Sequence, residues 1–123
     1  MKFDDLSNRV IGCALEVHRN IGPGLLESTY EQCLAFELNA AGIAFRLQCP
    51  LPVNYKGMKM ACGYRVDVLV ADTLILELKS VDKILPIHQA QLLTYMKLAN
   101  VSVGLLLNFN VNYLKDGIHR MVL

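Results

Sequence analysis

From Leu6 onward apolar residues return every three or four positions, with Leu6, Val10, Cys13, Ala14 and Val17 on one face of a 3.6-residue repeat. The spacing predicts a helix from about Asp4 to Asn20, ended by the NIGPG stretch at Asn20 to Gly24. A second helix is predicted from near Leu25. It carries Tyr30, Cys33, Leu34, Glu37 and Leu38 and stops at Gly42, a residue suited to the left-handed conformation that ends helices. The period then changes. From Phe45 to Val81 β-branched and aromatic residues alternate without a helical repeat, and turn residues stand at Asn54 to Gly57 and at Asp72 and Thr73. Three antiparallel strands follow, the first at a sheet edge because Pro50 and Pro52 cannot donate to a ladder. Pro86 and the spread of Ala90, Leu93, Met96 and Leu98 predict a third helix from about Ile87 to Ala99. VSVGLLLNF and GIHRMVL read as two closing strands. The expected fold is a mixed α/β sheet flanked by helices, with the third helix crossing over between parallel neighbours.

Charge interrupts the apolar strands in YRVDVLVADTLILELKS, at Asp67, Glu77 and Lys79. Glu77 and Lys79 are two apart, so in a strand they share a face with Ile75 and Val81, while Leu76 and Leu78 point the other way. Alone, that pair reads as an ion pair at the end of a sheet. Asp67 adds weight, because Asp is a poor strand former and is rarely buried without a partner. Parity decides whether Asp67 and Glu77 meet. Their midpoint is Asp72, so an odd loop centred there sets the two carboxylates opposite each other. A two-residue turn at Asp72 and Thr73 instead pairs Glu77 with Val68, and a bulge restores the match. Carboxylates that do meet repel, which raises a pKa or recruits a cation, and oxygen ligands suit Mg²⁺ or Mn²⁺.

Composition narrows the classes. The 123 residues suffice for one domain, 1–123, with a substantial core; 54% are hydrophobic and 19% charged, and no apolar run approaches a membrane span. A mean hydropathy of +0.35 is high for this size, so apolar surface covered by a second copy, a homodimer, is expected. The opening MKFDD puts two acids where an export signal needs its apolar segment, which makes the cytoplasm the expected compartment. Cys13, Cys33, Cys49 and Cys62 lack zinc-ligand spacing and read as reduced core residues. A net charge of +1 leaves no broad basic footprint, so any phosphate-binding surface must be local.

Asp67 followed, after a hairpin, by Glu77-Leu78-Lys79 resembles the signature of the PD-(D/E)XK nuclease superfamily, with its restriction-endonuclease-like mixed sheet; Val66 stands where that signature has proline. GPGLLESTY is more specific, since Gly24, Glu27 and Tyr30 resemble the pattern that names the GxxExxY protein family within that superfamily. EVHRNIGPG and AFEL are also similar to that family, so the resemblance runs over essentially the whole chain.

The resemblance implies a metal held by Asp67, Glu77 and the carbonyl of Leu78, with Glu27 as an additional helical acid. Lys79 corresponds to the lysine that orients water or stabilises charge on phosphate. HQAQLLTY is similar to the glutamine and tyrosine helix of the RecB-like branch, which makes Gln91 a catalytic candidate and Tyr95 its companion. His88, Gln91 and Tyr95 are spaced to line one helical face. Tyr30, His88 and Tyr95, with Arg46, Lys56, Lys59, Arg65 and Lys83, are the residues expected to meet nucleic acid, DNA ahead of RNA. Plainer roles stand beside these: Glu27 complementing the helix dipole, Tyr95 in the core and His88 as an ordinary first-turn residue.

Phosphodiester cleavage needs a nucleophilic water, neutralised phosphate charge and help for the leaving oxygen, which a divalent cation held by carboxylates supplies. The expectation is a Mg²⁺- or Mn²⁺-dependent nuclease. Its rivals are a binding module that kept the fold but cleaves nothing, and a structural subunit whose acids pair with Arg46, Arg65 or Lys83.

Overall fold

The computed structural model describes residues 4–123; Met1 to Phe3, part of the stretch read against an export signal, lie outside the described residues. Helix α1 runs Asp5–Ile21, capped by Asp4, whose carboxylate accepts from the Ser7 N–H at 2.9 Å. Helix α2 spans Glu27–Ala40, two residues later than its pattern suggested, and Gly42 follows it with φ 71°. Strands β1 (Phe45–Tyr55), β2 (Met58–Val70) and β3 (Leu74–Lys79) come next, then α3 (Pro86–Ala99), β4 (Val103–Asn108) and β5 (Ile118–Val122). The sheet order is β1-β2-β3-β4-β5, antiparallel except for the β3–β4 pair joined by the α3 crossover. The proline-bearing β1 occupies an edge, as expected. Among the described residues no helix is long and apolar enough to cross a membrane.

Two apolar layers cover the sheet. Val10, Ala14 and Val17 of α1 and Tyr30, Leu34 and Leu38 of α2 pack with Val68, Val70, Leu76, Leu78, Leu105 and Leu107 on one face. Leu92 and Met96 of α3 pack with Leu69, Ile75 and Leu106 on the other. α3 lies close to β4 because Gly104 has no side chain: a Cβ there would stand 2.8 Å from the Met96 sulfur and 3.0 Å from a Leu92 methyl. All four cysteines are free, and Cys13, Cys33 and Cys49 are half-buried against the two apolar layers; Cys62 is exposed, contrary to the expectation of a core residue.

The β2–β3 connection settles the parity. Val68 pairs with Leu76, Leu69 with Ile75 and Val70 with Leu74, so the loop is the odd one, Ala71 to Thr73, centred on Asp72. Ala71 and Asp72 take left-handed φ values of 49° and 57°, and the Thr73 N–H closes the loop on the Val70 carbonyl at 3.0 Å. One further feature shapes the region. Val68 packs on the α1/α2 side while Val66 packs on the α3 side, and Leu47 and Cys49 of β1 divide the same way. Strict alternation would keep each pair on one face. Both strands change face at the rung between Gln48 and Asp67, where Gln48 has φ 51° and the flanking pairs are Leu47 with Val68 and Cys49 with Val66.

Candidate active site

The ladder between β2 and β3 stops at Val68 and Leu76, and the two acids on the next rung take over its donors. The Asp67 N–H donates to Glu77 Oε1 at 3.2 Å, and the Leu78 N–H donates to Asp67 Oδ2 at 2.8 Å. Side-chain oxygens thus satisfy backbone groups that a continued ladder would have paired. Meanwhile β3 remains paired to β4, Glu77 beside Leu106 and Lys79 beside Asn108. A wedge opens on the β2 side, and the start of α2 borders it. The resulting cavity of about 460 Å³ is lined by Glu27 and Glu31 of α2, Gln48 of β1, Asp67 of β2 and Glu77, Leu78 and Lys79 of β3.

Glu77 is only 8% exposed. Burial, reinforced by the charge of Asp67, pushes its carboxyl from an ordinary 4.5 up to about 8, against the opposing pull of the Asp67 N–H and the Lys79 ammonium. None of the ion pairs among the described residues involves Asp67, Glu77 or Glu27. Arg46 pairs instead with Asp72 at 2.7 Å. Asp67, Glu77 and Glu27 thus do not form the ion pairs with Arg46, Arg65 or Lys83 that a structural subunit would have.

Gln48, which the strand pattern did not single out, sits among the acids: its amide donates to Glu31 Oε1 at 2.6 Å and approaches Asp67 Oδ1 at 3.5 Å. Glu31 was also missed. Its only sequence signal is its position four residues after Glu27, which puts both on one helical face. Other contacts fix the cavity rim. Ser80 Oγ donates to the Leu25 carbonyl at 2.6 Å, tying the end of β3 to the entry of α2. The buried Asn108 side chain holds Val81 through both its N–H and its carbonyl, at 3.1 and 3.0 Å.

Several expected site residues lie elsewhere. Tyr30, expected to meet nucleic acid, is fully buried; its hydroxyl donates to the Gly22 carbonyl at 2.6 Å and accepts from the Leu25 N–H, and its ring stacks on Phe109 at 4.4 Å. It secures the loop that leads into α2. His88 Nδ1 accepts from the Leu85 N–H at 3.0 Å, so this ring nitrogen serves the start of α3, the plainer of the two roles expected for it. Gln91 is exposed and lines a different cavity, with Val53, Tyr64, Ile87 and Tyr95, between α3 and the β1–β2 hairpin. Tyr95 links the two regions: its ring lies 6.0 Å from that of Tyr64, and burial raises its phenol pKa, helped by the charge of Glu77. Lys56, Lys59 and Arg65 are exposed on the hairpin, and Lys83 is exposed ahead of α3.

The acids that line the cavity offer oxygen ligands of the kind that suit a hard divalent cation, and two facing acids are the electrostatic setting that one would relieve. Among the described residues no three His, Cys, Asp or Glu side chains are grouped closely enough to form a complete cage, so Glu27 borders the cavity without joining Asp67 and Glu77 in a cluster.

Neither curated proteins nor solved structures yielded a match to the chain. A protein-family model did: that of the PD-(D/E)XK nuclease superfamily matches residues 4–121. The mixed five-stranded sheet with helices on both faces is consistent with the restriction-endonuclease-like fold of that group. With nearly its whole length matched, the chain belongs to the PD-(D/E)XK nuclease superfamily.

Proposed function

We propose that this chain is a metal-dependent phosphodiester hydrolase acting on nucleic acid, a single domain of the GxxExxY branch working in the cytoplasm. The observation that carries the reading is the facing pair Asp67 and Glu77, held against each other in a cavity that also receives Lys79 and Glu27. Asp67, Glu77 and the Leu78 carbonyl would hold Mg²⁺ or Mn²⁺, with Glu27 as an outer acid. That cation, when bound, supplies charge neutralisation and an activated water. The residues of the chain do the rest. Glu77 would give up its proton when a cation binds beside it, so that its carboxylate can serve as a ligand. Lys79 contributes a fixed positive charge beside the acids, where charge on a reacting phosphate would develop. Gln48 orients Asp67 and Glu31. Arg46, Lys56, Lys59, Arg65 and Lys83 provide phosphate contacts.

The test is cleavage of single- and double-stranded DNA and of RNA with Mg²⁺ or Mn²⁺, run beside thermal-shift titrations with Mn²⁺. A cation that binds the folded state alone stabilises it by about 2.7 kcal/mol at a hundredfold excess over its dissociation constant. Asp67→Asn is expected to reduce that gain. Lys79→Ala is expected to keep metal binding and lose cleavage. If Asp67→Asn binds Mn²⁺ as wild type does, or Lys79→Ala cleaves at the wild-type rate, the roles are wrong. A wild type that binds nucleic acid and cleaves none of the substrates returns the chain to the class of binding modules.

A further inference from the structure

Between Glu37 and Asp67 the chain has no acidic residue, yet it carries Arg46, Lys56, Lys59 and Arg65. Four of the twelve Lys and Arg residues therefore stand in a stretch with none of the eleven acids, which leaves eight cations against eleven acids elsewhere. Arg46 lies outside the arm, paired with Asp72, so the near-neutral total conceals an arm with three cations on a body with nine cations and eleven acids.

The arm is the outer part of the β1–β2 hairpin. β3 pairs with β2 only over Val68–Val70, so from Met58 to Arg65 β2 is paired with β1 alone. Every residue of that segment is exposed, on both faces of the ribbon. Tyr55 is 56% exposed, Met58 63%, Met60 41% and Tyr64 45%. Lys56 and Gly57 form the tip, both with positive φ, between the paired Tyr55 and Met58. A register shift between Leu51 and Val53 marks an irregularity in the ribbon near its root. At its root Tyr64 lies against Tyr95 of α3 and its pair Leu51 belongs to the α3-side core, so the free part is Met58–Cys62, roughly 15 Å at ~3.3 Å per residue.

A second copy docked arm against arm is a poor occupant for this surface. Arm against arm would bring Lys56, Lys59 and Arg65 together with no acid to face them, and Pro50 and Pro52 block the outer edge against strand addition. A polyanion fits the charge. The shape narrows it further, because the major groove of B-form DNA, about 12 Å wide, admits a two-stranded β-ribbon, whereas the deep and narrow major groove of A-form RNA does not.

We propose that the β1–β2 arm enters the major groove of a B-form DNA duplex, with Lys56, Lys59 and Arg65 on its phosphates. The arm is rooted at the acid cavity: Arg65 Nη1 contacts the Gln48 carbonyl at 3.5 Å, and the Gln48 amide reaches Glu31 and Asp67. A duplex gripped by the arm is thereby held next to the cavity. The second step, delivery of a phosphate to the cavity, rests on the nuclease reading above; the grip itself does not.

The experiment measures fluorescence anisotropy of labelled DNA duplex, RNA duplex and single-stranded DNA with the full chain in EDTA, across a salt series. The expected result is that DNA duplex binds at least tenfold more tightly than the other two. The triple variant Lys56→Ala, Lys59→Ala, Arg65→Ala should lose at least tenfold in affinity and lower the salt slope by about 0.9 for each phosphate contact removed. Lys59→Gln alone, a single exposed substitution that leaves the core untouched, should lower the slope by about 0.9. Replacing Lys97 and Lys115 on the body should leave it unchanged. An unchanged slope in Lys59→Gln, equal binding of RNA duplex and DNA duplex, or a dimer by light scattering that dissociates on Met58→Ser without any DNA binding would each overturn the proposal. The two readings separate cleanly. Arm-dependent duplex binding by a wild type that cleaves nothing with Mn²⁺ sinks the nuclease and leaves the arm; cleavage of duplex DNA unaffected by the triple variant does the reverse.

Discussion

Strand β2 passes through two environments. Its second part, Val66 to Val70, is packed between the helix layers, with Val66, Val68 and Val70 fully buried, and it carries Asp67. Its first part, Met58 to Arg65, is exposed throughout and carries Lys59 and Arg65. One strand therefore does two different things. Where the strand is clamped by β1, β3 and the helices, it can hold an acid against another acid, because the packing of the surrounding valines and leucines offsets the repulsion. Where β1 is its only strand neighbour and α3 touches it only near Tyr64, nothing compensates a buried charge, and the cations stay in water. The boundary falls at the Gln48–Asp67 rung, where both strands change face. A site that needs rigidity and a surface that needs reach are thus built from one continuous strand.

The largest effects should come from the clamped half. Asp67→Asn, and separately Lys79→Ala, are expected to lower single-turnover cleavage with Mn²⁺ by roughly 10²–10³, the scale for losing one preorganised charge at a reacting centre. A loss below threefold in both would break the contrast, since the clamped acids would then be structural.

Stability should follow burial. Leu76, fully buried beside Val68 on the α1/α2 side, is expected to cost about 2–5 kcal/mol when replaced by alanine, measured by urea denaturation. A value near zero would mean that this half of the sheet is not the packed one.

A smaller, pH-dependent effect sharpens the electrostatic side. In the folded protein the Glu77 carboxyl is raised from 4.5 to about 8, so between those values the folded state binds a proton that the unfolded chain releases. Its contribution to stability is complete below about pH 4.5 and is lost as pH rises through about 8, an effect on the order of a few kcal/mol. Thermal melts of the metal-free protein should therefore show a falling stability over this window that Glu77→Gln flattens. Parallel profiles for the two proteins would contradict the burial of an unneutralised pair.

The smallest effect belongs to the arm. Met58, 63% exposed, should tolerate serine within about 0.5 kcal/mol, checked by the same denaturation. A loss above 2 kcal/mol would show that the arm is packed against something in solution.

The order of elements, the edge position of β1, the α3 crossover and the shared face of Glu77 and Lys79 were all legible in the sequence, because each depends on relations two to four residues apart, or on what proline cannot do. The convergence of Asp67 and Glu77 was legible only as a choice between loops. The tertiary structure made that choice, with Ala71 and Asp72 in left-handed conformations that neither residue type demands. It also decided the face switch at Gln48 and Asp67, which breaks the alternation on which strand reading depends, and so brought Gln48 among the acids. Tyr30 had the spacing of a site residue, yet its ring stacks on Phe109, a partner 79 positions away, and is buried with it. Gln91 had the motif, but α3 directs it to the arm cavity instead of the acids. Local periodicity tells which side of its own element a residue occupies; which other element lies across from that side depends on long-range packing, and that is settled only when the whole core closes.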